Sequence, residues 1–194
     1  MVERNKKKFL DIFKSNITRD GSKELLQWIE SSDFFTAPAS TKFHSAVEGG
    51  LCDHSIKAYE RLVKNLEMEY GKNWPEKYSR ETVAICGLLH DVCKVNIYKV
   101  DYKNVKVDGE WVKQPYYVLE DNLPYGHGEK SVYIISGFMR LTREEAMTIN
   151  WHMGGFDMRV KGGSYSISDA FYRFPLACIF HMADMQATYL DEVR

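Results

Sequence analysis

The chain is poor in the features that mark several protein classes. Its four cysteines, Cys52, Cys86, Cys93 and Cys178, show no paired CxxC spacing. That excludes a disulfide framework and gives little support to a cysteine-based zinc site. No apolar run approaches the ~18 residues of a membrane span, and the opening MVERNKKKFLDIF lacks a signal-peptide core. Net charge is also missing: 26 Lys+Arg against 27 Asp+Glu leave -1. No global basic field therefore drives membrane or non-specific nucleic-acid binding. Lys6, Lys7 and Lys8 form a short basic cluster that reads as a solvated helix start. No repeat and no low-complexity linker appears. A reduced, cytoplasmic protein is the expectation.

What is present is an ordinary globular composition, 44% hydrophobic over 194 residues, enough for one compact domain. Residues 4–14 and 22–31 read as short amphipathic helices, with Phe9, Leu10 and Phe13 on one side of the first. Residues 34–51, with Pro38 and Gly49-Gly50, read as a loop or short turns. A helix from about Leu51 to Glu69 follows, then a connection over residues 71–79. The stretch ETVAICGLLHDVCKV, residues 81–95, is apolar nearly all round, the pattern of a central helix. Two β-branched and aromatic runs then flank Asp108-Gly109, a β-hairpin signal.

Helical patterning resumes over Gly128–Arg140. The spacing Thr142 to Glu145 opens a further helix to about His152. The glycine-rich residues 153–166 read as a mobile loop, and Pro175 starts a final helix through Leu190. The expected fold class is all-α: a helical bundle with one inserted hairpin. The whole chain, 1–194, forms one domain, with a helical N-terminal extension over 1–43 and the hairpin insertion at about residues 96–120.

Polar groups inside apolar helices carry the functional reading. His90-Asp91 and Asp184 stand in helices that have no polar face, and an unpaired buried carboxylate costs several kcal/mol. Local ion pairs are one answer: Asp91 with Lys94 at i+3, Asp184 with His181 at i-3. Metal is the other. His54 near a helix start, His127 before a helix and His152 at a helix end complete a set of imidazoles and carboxylates. A helical bundle can gather such a set around an ion. This donor chemistry suits Mn, Fe, Co, Ni or Zn, with Mg admissible. Cys52, Cys86 and Cys93 read as small buried hydrophobes. The hairpin aromatics Tyr98, Tyr102, Trp111, Tyr116 and Tyr117 receive no role beyond a substrate wall. Gly154-Gly155 and Gly162-Gly163 bracket a lid or a plain connection.

The words GGLCDHS, LLHDVCK and HMADMQA, in this order and over about residues 44–190, resemble the HD-domain superfamily of metal-dependent phosphohydrolases. The resemblance implies an HD-type helical fold. It implies that His54, His90, Asp91 and Asp184 hold one divalent ion, and that His127 and His152 hold a second, with Asp91 bridging. It further implies Asp91 and Lys94 as catalytic groups, Lys94 near substrate phosphate. In KFHSAVEGGL it implies His44 as a phosphate or substrate contact. Lys130 reads as a solvated helix-surface lysine, with a charge on the opposite wall as the alternative, and His181 reads as a core residue or a support for the ligands.

The implied activity is phosphomonoester or phosphodiester hydrolysis of a nucleotide or short oligonucleotide by metal-activated water. Stable duplex binding and membrane contact are not expected. Without an attached nucleic-acid-binding domain, processive exonuclease action is not expected either. The same ligand pattern also occurs in HD-type di-iron oxygenases, which cleave small polar substrates with dioxygen. That is the alternative; a non-catalytic nucleotide sensor is a third reading.

Overall fold

The computed structural model describes residues 2–42 and 45–192. Helix α1, Val2–Asn16, buries Phe9 and Phe13 at i and i+4. The Phe9 ring packs on Phe34 at 4.9 Å and edge-on to Phe35 at 5.5 Å between centroids. Helix α2, Ser22–Ser31, adds Leu25, Leu26 and Ile29 to the same apolar cluster, which runs from Phe9 to Ala187. The segment 1–43 expected as an extension therefore contributes its α1 and α2 side chains directly to the core.

Two helices form the centre. Helix α3, Gly50–Tyr70, presents Leu51, Ile56, Leu62 and Leu66 inward. A one-turn helix α4, Trp74–Lys77, links it to α5, Arg80–Leu89. Ser79 caps α5 by accepting from the Thr82 amide, and every residue from Val83 to Leu89 is buried. The crossing of α3 and α5 is close because position 87 is glycine. A Cβ there would lie 2.7 Å from Tyr59 Cα, inside any real contact. Gly87→Ala should therefore cost about 1–3 kcal/mol through overpacking, read as a lower urea midpoint at unchanged m-value.

The α-helix predicted over 81–95 stops at Leu89. His90 and Asp91 leave helical register, and Val92–Lys94 form a 3-10 turn. The apolar pattern runs on because this turn is itself buried: Val92 and Cys93 are both in the interior. Periodicity reports burial and cannot mark a helix end that lies inside the core.

The hairpin follows, β1 Tyr98–Val107 and β2 Glu110–Leu119, in register from Val107↔Glu110 to Tyr98↔Leu119. Asp108 and Gly109 both take positive φ, 51° and 91°, as a two-residue hairpin turn of primed type requires.

Helices α6, His127–Ser136, and α7, Arg143–Asn150, pack against each other. Thr142 and Glu145 form the expected capping box. Helix α6 ends earlier than the sequence pattern predicts, at Ser136, where Gly137 closes the last turn. The glycine-rich segment is more ordered than expected, with a 3-10 turn at Gly154–Phe156 and a short α8 at Met158–Lys161. An amphipathic α9, Ser166–Arg173, was not anticipated. It buries only Ala170, too thin an apolar stripe to read.

The last helix, α10, Pro175–Gln186, lies against α3 and α7. It passes at Ala187 into a π-helical turn, Ala187–Asp191, rather than continuing as α-helix to Leu190. The architecture is all-α with one inserted two-stranded hairpin. No helix among the described residues is long and apolar enough to cross a membrane.

Candidate metal centre

Five elements meet at one point inside the bundle. Helix α3 brings His54, the break after α5 brings His90 and Asp91, and α10 brings Asp184. The start of α6 and the residue pair after α7 bring His127 and His152. A second close approach sets the last two: a Cβ on Gly128 would sit 2.3 Å from the Asn150 carbonyl oxygen. Glycine there lets α6 and α7 touch and places the His127 and His152 rings 5.1 Å apart. Phe180 of α10 forms the apolar floor under the His90 ring, at 5.0 Å between centroids.

Asp91 is the hub. Its Oδ2 lies 3.4 Å from His54 Nε2, 3.5 Å from His90 Nε2 and 2.6 Å from Lys94 Nζ. Its Oδ1 faces the other histidines, 2.8 Å from His127 Nε2 and 3.5 Å from His152 Nε2. One carboxylate thus divides four imidazoles into two pairs. Asp184 Oδ1 joins the first pair, 3.1 Å from His54 Nε2 and 3.9 Å from His90 Nε2.

Backbone carbonyls orient two of the rings. His90 Nδ1 donates to the Gly87 carbonyl at 3.0 Å, and His152 Nδ1 donates to the Ile149 carbonyl at 2.6 Å. Each therefore turns its Nε2 toward Asp91, the orientation a metal ligand needs. Among the described residues His152 Nε2 is buried with no hydrogen-bond partner. Such an unsatisfied ring nitrogen in an interior is a position that a cation would fill. His54 is oriented by a carboxylate: its Nδ1 donates to Glu192 Oε1 at 2.6 Å.

Protons stand where cations would fit. His54 Nε2 lies 3.0 Å from His90 Nε2, and two lone pairs cannot share that contact. Burial works against charging His54, but its bonds to Asp184, Asp91 and Glu192 override burial and raise its pKa well above the ordinary value. Burial depresses the His90 pKa to about 3, so His90 is the neutral partner. Burial alone would raise the Asp91 pKa; the charge of Lys94 and the hydrogen bond from His127 outweigh it and hold the carboxyl well below its usual range. Asp184 is held low in the same way, by its hydrogen bond and charge interaction with His54. The donor set fits a divalent metal ion: the Nε2 proton of His54 and the unsatisfied Nε2 of His152 mark positions such an ion would take. His54, His90 and Asp91 form one buried group able to hold a metal, and Asp91, Cys93 and His127 another.

The expected ion pair of Asp91 with Lys94 is present. The alternative pairing of Asp184 with His181 is not, because His181 Nδ1 donates instead to the His152 carbonyl at 2.7 Å. Lys130 is not a surface lysine and does not face the site. It is 4% exposed and pairs with Asp121 at 2.5 Å. His44 lies outside the described residues.

Two contributors escaped the sequence reading. Cys93 Sγ lies 3.5 Å from His127 Nδ1, although its spacing resembles no cysteine motif. Glu192 reaches the site only because the π-helical turn carries it back over His54; its acidic, near-terminal setting gave no signal. The same turn is pinned by Arg61, which bonds Asp191 through Nε at 2.6 Å.

The cluster forms the floor of an open cavity of about 820 Å³. Its walls include Met153, Phe156, Met185 and Tyr189, and its charged lining includes Lys42, Lys94 and Lys161. Tyr98 and Leu119, the base of the hairpin, close one side. No protein-family model, curated protein or solved structure matches the chain.

Proposed function

We propose that the protein is a metal-dependent phosphohydrolase of the HD-domain type, acting on a nucleotide or short oligonucleotide. The observation that carries this reading is the division of four imidazoles between the two oxygens of Asp91, beneath a cavity whose charged lining includes lysines. In this reading His54, His90, Asp91 and Asp184 hold one divalent ion, and Asp91, His127 and His152 a second, with Cys93 at hand as a further donor. The ions would activate water and neutralise charge on the phosphoryl oxygens.

The chain's own groups do the rest. His90 and His152 stay aimed inward because their Nδ1 atoms are held by the Gly87 and Ile149 carbonyls. Lys94, bonded to Asp91 and lining the cavity, has two further N–H donors for a phosphate oxygen. Lys42 and Lys161 draw the anion in, and the apolar walls exclude bulk water from it.

Glu192 acts through His54. Glu192→Gln should weaken metal binding roughly 10- to 100-fold, as loss of a carboxylate behind a ligating histidine does elsewhere. Titration against a chromophoric chelator measures this, and an unchanged affinity would remove Glu192 from the site.

The deciding experiment is elemental analysis of the purified chain, followed by anaerobic assay of phosphate release from nucleotides and short oligonucleotides. Bound metal with anaerobic hydrolysis supports the proposal. Two irons with dioxygen consumption and no phosphate release would replace it with the oxygenase reading. A chain that takes up no metal after reloading would overturn both.

A further inference from the structure

The hairpin is more than a wall of the cavity. Its base is anchored, with Tyr98 packed against the core. Beyond the base it stands in solvent: Val100 is 56%, Tyr102 61% and Trp111 73% exposed. A two-stranded hairpin gains little stability of its own, so large exposed aromatics on one call for a partner.

The register sorts its side chains. Residues facing one another across the ladder share a face, so Tyr98, Val100, Tyr102, Asn104 and Lys106 share theirs with Leu119, Tyr117, Pro115, Lys113 and Trp111. This face carries four aromatic rings and two lysines, and no acid. Both strand acids, Asp101 and Glu110, fall on the other face. There Asp101 and Lys103 are already engaged: Tyr116 donates to Asp101 at 3.1 Å, and Lys103 sits 5.5 Å over the Tyr116 ring. Lys106 and Lys113 form no ion pair among the described residues. The aromatic and basic face is also the one that ends at Tyr98 and Leu119, in the cavity lining.

We propose that this face is a binding platform for single-stranded nucleic acid, which it leads by one end into the metal cavity. The proposal rests on the phosphohydrolase reading of that cavity and names its substrate as a strand rather than a mononucleotide. Stacking of bases on tyrosine and tryptophan, with lysines on the phosphates, is the chemistry that binds single strands without regard to sequence. Ten residues of strand make a strip about 33 Å long, enough for several nucleotides. A duplex hides its base faces and offers nothing to stack.

The test uses the full chain freed of metal by chelator, so that nothing is cleaved, and fluorescein-labelled (dT)12 as probe in fluorescence anisotropy. The single strand should bind with a quench of tryptophan fluorescence, and (dT)12 annealed to its complement should bind markedly more weakly. Trp111→Ala should weaken single-strand binding roughly 5- to 100-fold. Lys106→Gln with Lys113→Gln should flatten the plot of log affinity against log salt by about 1.4, two phosphates at ~0.7 each. These side chains are exposed, so circular dichroism and thermal midpoint should not move.

Absence of (dT)12 binding, or equal binding by Trp111→Ala, overturns the proposal. So does a chain that ignores (dT)12 but dimerises through this face, monomeric only as Trp111→Ala. Phosphate release from mononucleotides alongside any of these failures leaves the hydrolase reading standing. Strand binding by a chain that takes up no metal would remove the hydrolase reading and keep the platform.

Discussion

Asp91→Asn should empty both halves of the centre at once. The substitution keeps the shape and removes the charge that faces four imidazoles. Hydrolysis should fall on the order of 10³-fold or more, beyond the 10- to 100-fold expected for a supporting residue such as Glu192. Metal content per chain should fall with it. In the wild type, metal at about 100 times its dissociation constant should add roughly 2.7 kcal/mol of stability. For a chain of this length that is a rise of about 5–11 °C in thermal midpoint, and it should vanish in the variant.

The loss of charge has a second consequence. Lys94, whose side chain is 12% exposed, is left against a neutral amide, and an unpaired buried cation is strongly destabilising. Asp91→Asn with Lys94→Met separates the two effects: stability should return and metal binding should not. Recovery of metal by the double variant would show that unfolding, not ligand loss, explained the single one.

Glu145→Ala should be the most destabilising substitution remote from the centre, by about 3–5 kcal/mol. Glu145 is fully buried and accepts from both terminal nitrogens of Arg19 at 2.8 Å, from Thr82 Oγ1 at 2.8 Å and from the Thr142 amide at 2.8 Å. It ties the segment between α1 and α2 to α5 and α7. Removing it opens the capping box of α7 and strips a partner from Arg19.

The pH dependence has a definite sign. Burial alone would raise the Glu145 pKa; the bonds from Arg19, Thr142 and Thr82 outweigh it and leave it below the ordinary 4.5. A carboxyl depressed in the folded state contributes stability above its unfolded pKa and loses it as pH falls through the folded value. The stability gap between wild type and Glu145→Gln should therefore stay constant above about pH 5 and shrink in more acid solution. Urea unfolding at a series of pH values checks it. A gap that widens in acid would mean that Glu145 is protonated in the native state.

Much of the fold was legible because its signals are local. The Asp108-Gly109 turn sets the hairpin register through two positive φ angles, and the Thr142–Glu145 box starts α7. The core faces of α1 and α3 follow from helical spacing alone. The misses share a cause: periodicity fades where everything is buried or almost nothing is. The first condition hid the break at His90-Asp91; the second hid α9, with its single buried alanine.

For the centre, the sequence by itself determined the donors: the residue types at His54, His90, Asp91, His127, His152 and Asp184, and the tension of carboxylates in apolar helices. Whether those groups meet depends on distances between elements far apart in the chain, which no local pattern encodes. The tertiary structure decided that through two close helix contacts, at Gly87 and Gly128, where a side chain as small as a methyl would hold the ligand pairs apart. It also decided which neighbours matter. Lys130 was drawn away to Asp121, and Cys93 was set beside His127. The π-helical turn brought Glu192 over 138 residues to His54, because burying an imidazole against two aspartates requires its outer nitrogen to find an acceptor, and only the folded chain could supply one.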